Sequence, residues 1–101
     1  MKTNPLGELA INAGEIKNAA LVIRAFDHPL RQEILAFIHG NNRVFVTDMH
    51  IKFGIEQSVV SDHLALLRAA KLVLTERKGR FIYYSVNYSE LDRLSYLIEN
   101  F

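Results

Sequence analysis

The chain has 101 residues, half of them hydrophobic, with a net charge of +1 and no cysteine. That is one domain's worth of sequence, with a core small enough that part of its apolar surface is expected to be buried by self-association. Disulfides, thiolate metal sites and thiol redox sensing are excluded, and no apolar run approaches the ~18 residues of a membrane span.

Residues 1–7 read as a loose arm broken by Pro5 and Gly7. They lack the charged-then-apolar pattern of a secretory signal, so the expected location is cytoplasmic. Glu8 to Phe26 has helical periodicity, with an interruption expected near Asn12-Ala13-Gly14. Its second part sets Ile16, Ala19, Ala20, Ile23 and Phe26 on one stripe. His28 precedes Pro29, a favoured first helical residue, so a second helix starts there. It runs through Ile34, Leu35, Phe37 and Ile38 and stops at Gly40-Asn41-Asn42.

Val44-Phe45-Val46 reads as a brief extended lead-in, with Thr47 as N-cap of a short third helix closed by Gly54. Ile55-Glu56-Gln57 makes the turn, and Ser58 to Ala70 is an amphipathic helix. Its Val60, Leu64 and Leu67 recur at i, i+4 and i+7 and face the core. The opposite arc holds Ser58, Val59, Asp62 and Ala65, with Gln57 and Ser61 at its leading edge. Small and amide side chains there suit close approach to base edges, and Val59 suits a thymine methyl. A carboxylate at Asp62 can accept from a cytosine amine while repelling phosphate.

Two β-type runs, Val73 to Glu76 and Phe81 to Tyr84, are joined through Arg77-Lys78-Gly79-Arg80, with Gly79 permitting the tight turn. Tyr83 and Tyr84 alternate across the second run, one inward and one outward. Ser89 is expected to cap a last helix, with Leu91, Leu94, Leu97, Ile98 and Phe101 as its apolar positions. The predicted class is mainly α with a small β element, in the order α-α-α-α-β-β-α. A helix-turn-helix spans 47–70, a wing 73–86 and a C-terminal helix 89–101. This winged helix-turn-helix lays its second helix in the DNA major groove.

Charge is distributed to match. From Gln57 to Arg80 the cations Arg68, Lys71, Arg77, Lys78 and Arg80 outnumber Asp62 and Glu76 by three. From Asn87 onward Glu90, Asp92 and Glu99 outnumber Arg93 by two. A basic face and an acidic far end fit a module that docks one face on phosphates. The expected DNA-binding residues are Gln57, Ser58, Val59, Ser61, Asp62 and His63 on the helix, with Arg77, Lys78 and Arg80 at the wing. His63, flanked by the core arc, reads equally as a partly buried helix histidine. An isologous dimer interface is expected from Ile16, Ala20, Ile23 and Phe26 with Leu94, Leu97, Ile98 and Phe101.

No cofactor, metal or membrane is expected as a partner. His28, His39, His50 and His63 lie on four separate segments, and Asp48-x-His50 spans two different helix faces. Ser61, Asp62 and His63 are adjacent on one helix and cannot form a nucleophile–base–orienter triad, so no enzyme is expected. Two other readings stay open: a winged-helix protein-interaction module that does not read DNA, and a metal-responsive regulator with an unfamiliar nitrogen/oxygen site.

Four pieces in order resemble the ArsR/SmtB family of winged-helix repressors, over roughly Phe26 to Val86. They are His28-Pro29-Leu30-Arg31-Gln32-Glu33-Ile34-Leu35, the run from Gly54 to Leu64, the run from Leu66 to Val73, and Lys78-Gly79-Arg80-Phe81-Ile82-Tyr83-Tyr84. Lys71 stands where that family's pattern usually has glycine. The resemblance implies a homodimeric repressor that binds an inverted-repeat operator on duplex DNA, with the terminal helices at the dimer interface. It also exposes departures. Phe45 and Thr47 occupy the places of the cysteine pair used by metal-sensing members, and neither is a soft ligand. The last helix has no histidine for the zinc site of other members. The operator, the effector and the regulated genes are not specified by the sequence.

Overall fold

A computed structural model describes residues 13–100, in the order α1 (Ala13–Phe26), α2 (Pro29–Asn41), α3 (Val46–Phe53), α4 (Gln57–Ala69), β1 (Val73–Lys78), β2 (Phe81–Val86) and α5 (Tyr88–Asn100). The expected arm and the start of the first helix lie outside the described residues. The predicted element order holds throughout the rest.

Local chemistry explains most boundaries. His28 caps α2 by accepting the Leu30 N–H at its Nδ1 (3.1 Å), and Pro29 supplies the first helical residue. Gly54 ends α3 in the left-handed region, φ 65°, where a side chain would be strained. The wing is a two-stranded antiparallel hairpin in the register Val73↔Val86 to Lys78↔Phe81, with Gly79 (φ 63°) and Arg80 as its turn.

Three helix starts differ from expectation. Thr47 lies inside α3; Phe45 is the N-cap, and its N–H donates to the Asp48 carboxylate (3.0 Å). α4 begins at Gln57, so the turn is one residue shorter than expected and Glu56 is its N-cap. Ser89 lies inside α5 and donates to Asn87 Oδ1 (3.0 Å), while the Asn87 carbonyl accepts the first helical bond from Leu91. Asn87 serves more than one element: its N–H donates to Leu72 O and its amide to Lys71 O. That pins the end of α4, where Leu72 N–H reaches back to Leu67 O and Lys71 N–H to Arg68 O. This is a Schellman closure, and its left-handed position is Lys71 at φ 62°.

The core is built from Ile34, Leu35 and Ile38 of α2, Met49 of α3, and Val60, Leu64 and Leu67 of α4, closed by Leu72, Val73, Val86 and Leu94. The first helix buries Val22 and Ala25 in the chain's own core, outside the stripe expected to meet a second copy. Ala20 is exposed and Ile23 is 41% exposed. The helix therefore carries two apolar stripes, and the chain's own core uses only one. Leu94, expected at the same interface, lies elsewhere. It is 2% exposed inside the single chain, so it is a core residue that no second copy could reach. Ile98, by contrast, is 56% exposed, and Phe26 is half-buried. The side chains of Ile16 and Leu97, and Phe101, lie outside the described residues.

Candidate nucleic-acid interface

Burial of Val60, Leu64 and Leu67 fixes the rotation of α4. With that stripe inward, Gln57, Ser58, Val59, Ser61, Asp62 and Ala65 all stand exposed on the outer arc. The N-terminal half of this arc faces the wing across a cleft of about 400 Å³, lined by Thr47, Gln57, Ser61, Arg80, Ile82 and Tyr84 among others. The cleft thus brings together the leading edge of α4, the start of α3 and the wing tip. Thr47, expected as a helix cap, stands on this wall, a place the sequence does not indicate.

Lys78 and Arg80 are exposed at the hairpin tip, and Lys78 lies 3.9 Å from Glu76. Arg77 is exposed one residue further from the turn. Antiparallel pairing puts Arg77 opposite Ile82 and Lys78 opposite Phe81, so these two cations project from opposite faces of the hairpin.

His63 is separated from the groove-facing set. It is half-buried, its Nδ1 lies 3.3 Å from Arg31 Nη1, and its ring centroid is 4.9 Å from that of His28. A guanidinium only donates, so Nδ1 must be the accepting nitrogen and the ring is held neutral with its proton on Nε2. Burial lowers the His63 pKa from its ordinary value, the charges of His28 and Arg31 lower it further, and Asp62 opposes them.

Among the described residues Arg31 is the buried polar residue. Its Nε donates to Ala25 O (2.6 Å) and its Nη2 to Arg24 O (3.1 Å), so it bridges the end of α1 to α4. Sequence reasoning gave it no role. The available signal was its spacing with Ile34, Leu35 and Ile38, which puts it on the apolar stripe of α2.

The histidines do not assemble a cation site. His28 and His63 meet in space, which their separate segments did not reveal, but both Nδ1 atoms are engaged and a buried guanidinium lies beside them. His39 bonds Tyr88 Oη (2.8 Å), and the His50 ring bonds Ile55 O across the turn. Among the described residues no three of His, Asp or Glu converge as metal ligands. No helix among them is long and apolar enough to cross a membrane.

Comparison with known proteins agrees with this geometry. The transcriptional repressor SdpR of Bacillus subtilis (strain 168) is 33% identical over 78 residues, covering 76% of this chain and 86% of that protein. The structure of NolR from Sinorhizobium fredii is 31% identical with a TM-score of 0.70, over 100% of this chain and 96% of that one. The chain belongs to the ArsR/SmtB family of winged-helix transcriptional regulators. An ArsR-like regulator from Rhodococcus sp. RHA1 shares the fold at a TM-score of 0.76 and 24% identity, over 87% and 82% of the two chains. No protein-family model matches the chain. It is a DNA-binding regulator, and its named relatives are transcriptional regulators rather than enzymes.

Proposed function

We propose that this family member is a homodimeric repressor that reads an inverted-repeat operator. Gln57, Ser58, Ser61 and Asp62 contact base edges in the major groove, with Val59 against a thymine methyl. Lys78 and Arg80, with Arg77 in a lesser role, meet phosphate or the neighbouring minor groove. The observation that carries this reading is the single cleft shared by Gln57, Ser61 and Arg80. A duplex edge seated there would meet recognition helix and wing together.

Dimerisation is supported by the second apolar stripe. Ala20, Ile23 and Ile98 lie exposed on α1 and α5, helices that pack on one another within the chain. A two-fold partner covering them would set two recognition helices about 34 Å apart, one turn of duplex. That the related SdpR is a transcriptional repressor supports repression as the sign of regulation.

Selection of bound sequences from random duplex DNA, followed by anisotropy titrations at several salt concentrations, tests the proposal. An inverted repeat should be recovered. Lys78→Ala with Arg80→Ala should weaken binding to all sequences and flatten the salt slope by about one to two units. Wild-type protein with no salt-dependent affinity for any duplex would instead mark a module that does not read DNA.

A further inference from the structure

A two-stranded hairpin has little stability of its own and needs something to lean on. Here the support comes from the segment leading into α3. Val44 pairs with Tyr84 on the free edge of β2, N–H to O at 3.0 Å and O to N–H at 2.8 Å. Val44 and Tyr84 face the core side. By strand alternation Phe45 then stands opposite Tyr83 on the outer face, with Arg43 and Phe81 on that same face.

The side chains make a continuous stack there. The Phe45 and Tyr83 rings lie 4.3 Å apart at 33°, and Phe45 and Phe81 are 5.3 Å apart at 57°. Arg43 caps the inner end, with its guanidinium 4.5 Å from the Tyr83 ring centre and 3.0 Å from Glu76 on β1. At the outer end the Arg80 guanidinium sits 5.6 Å from the Phe81 ring. The stack therefore runs from the base of the helix-turn-helix to the tip of the wing.

Phe45 is its middle member, and it is also the N-cap of α3. One residue thus joins the first helix of the helix-turn-helix to both aromatic rings of β2's outer face. We infer that Phe45 is a positioning residue for DNA binding: it sets the angle of the wing to the recognition helix and so holds Arg80 and Lys78 where the duplex backbone passes. Phe45 also borders the cleft between α4 and the wing, and its proposed effect on binding is exerted through the wing. The inference rests on the DNA-reading function proposed above.

The test uses the full chain, a selected operator duplex and anisotropy over a salt series. Phe45→Ala should weaken binding about tenfold and flatten the salt slope by about one unit, as for one or two lost phosphate contacts. Added to Lys78→Ala with Arg80→Ala, it should have little further effect, because both act on the same contacts. Phe45→Tyr should restore slope and affinity. Amide exchange at residues 76–83 should quicken in Phe45→Ala and not in Phe45→Tyr. If Phe45→Ala does not fold, Tyr83→Leu, which breaks the same stack from the wing side, should give the same slope loss. A folded Phe45→Ala or Tyr83→Leu protein with an unchanged slope overturns the inference. Wild-type protein that fails to bind any duplex would instead overturn the DNA-reading function beneath it.

Discussion

Replacing Arg31 by methionine should destabilise the fold far more than its position on a short polar-looking helix start implies. The last four carbonyls of α1 have no partners within the helix. Ile23 O is taken by Asp27 N–H, and Phe26 O by His28 N–H and the Gln32 amide. Arg24 O and Ala25 O are taken by Arg31. Methionine fills similar space but leaves both without their donor. Losing hydrogen bonds to a charged donor costs roughly 1.5–3 kcal/mol each. Water can reach the Arg24 carbonyl in part, so the sum is about 2–4 kcal/mol, a sizeable share of the ~5–15 kcal/mol typical of a domain. Urea unfolding followed by circular dichroism, at one protein concentration because the proposed dimer would feed into stability, should show a midpoint lowered by roughly 1–3 M. Arg31→Lys should fall between, since an ammonium keeps the charge but lacks the planar fork. An Arg31→Met midpoint indistinguishable from wild type would refute the assignment of the two carbonyls to this side chain.

Four further outcomes are expected. His63 has a lowered pKa in the folded chain, so between that value and the ordinary 6.5 the unfolded chain binds the extra proton. Stability is therefore complete above about pH 6.5 and declines as pH falls through that window; His63→Gln should show a shallower decline in urea midpoint between pH 7.5 and 5.5. Lys71→Gly should stabilise by about 1 kcal/mol in urea unfolding, because the Schellman closure holds a lysine in the left-handed region. Ile23→Glu should yield monomers in sedimentation and lose tight operator binding while keeping its circular dichroism, since Ile23 stands outside the chain's own core. Stoichiometric zinc, cadmium or arsenite should leave the protein–DNA complex intact in anisotropy, and zinc release that weakens on His50→Ala or His63→Ala would expose a missed site.

Much of this architecture was legible because it rests on local chemistry. The His28-Pro29 start, the Gly54 stop and the Gly79 turn each follow from one residue's backbone preference. The spacing of Val60, Leu64 and Leu67 fixed which side of α4 turns outward, and with it the candidate groove residues. What could not be read depended on partners distant in sequence. Thr47 and Ser89 have good capping chemistry, but α3 begins at Val46 and α5 at Tyr88, which places both inside their helices; Asp48 holds the Phe45 N–H and Asn87 is tied to the end of α4 by long-range bonds. Arg31 looks like a surface arginine until the end of α1 is folded over it. Arg43, Glu76 and Tyr83 form one contact that no spacing rule links.

The apolar stripes of the terminal helices show the deeper ambiguity. Periodicity detects that a face is hydrophobic, and hydrophobicity is the same whether the cover comes from the chain itself or from a second copy. In α5 the sequence treats Leu94 and Ile98 alike, one turn apart. Folding sends Leu94 into the core and leaves Ile98 outside, and in α1 it separates Val22 from Ile23 in the same way. The split is set by the crossing of α1 with α5 and α4. The residues left over are the ones a partner would cover. Two contacts brace the helix-turn-helix, one at each side. Arg31 ties it to α1, the helix carrying the uncovered stripe, and Phe45 ties the wing to α3. A change in how two copies meet would therefore reach α4 through the Arg31–His63 contact before it reached the wing. Arg31→Met should accordingly alter base-contact affinity with little change in salt slope, whereas Phe45→Ala should change the slope.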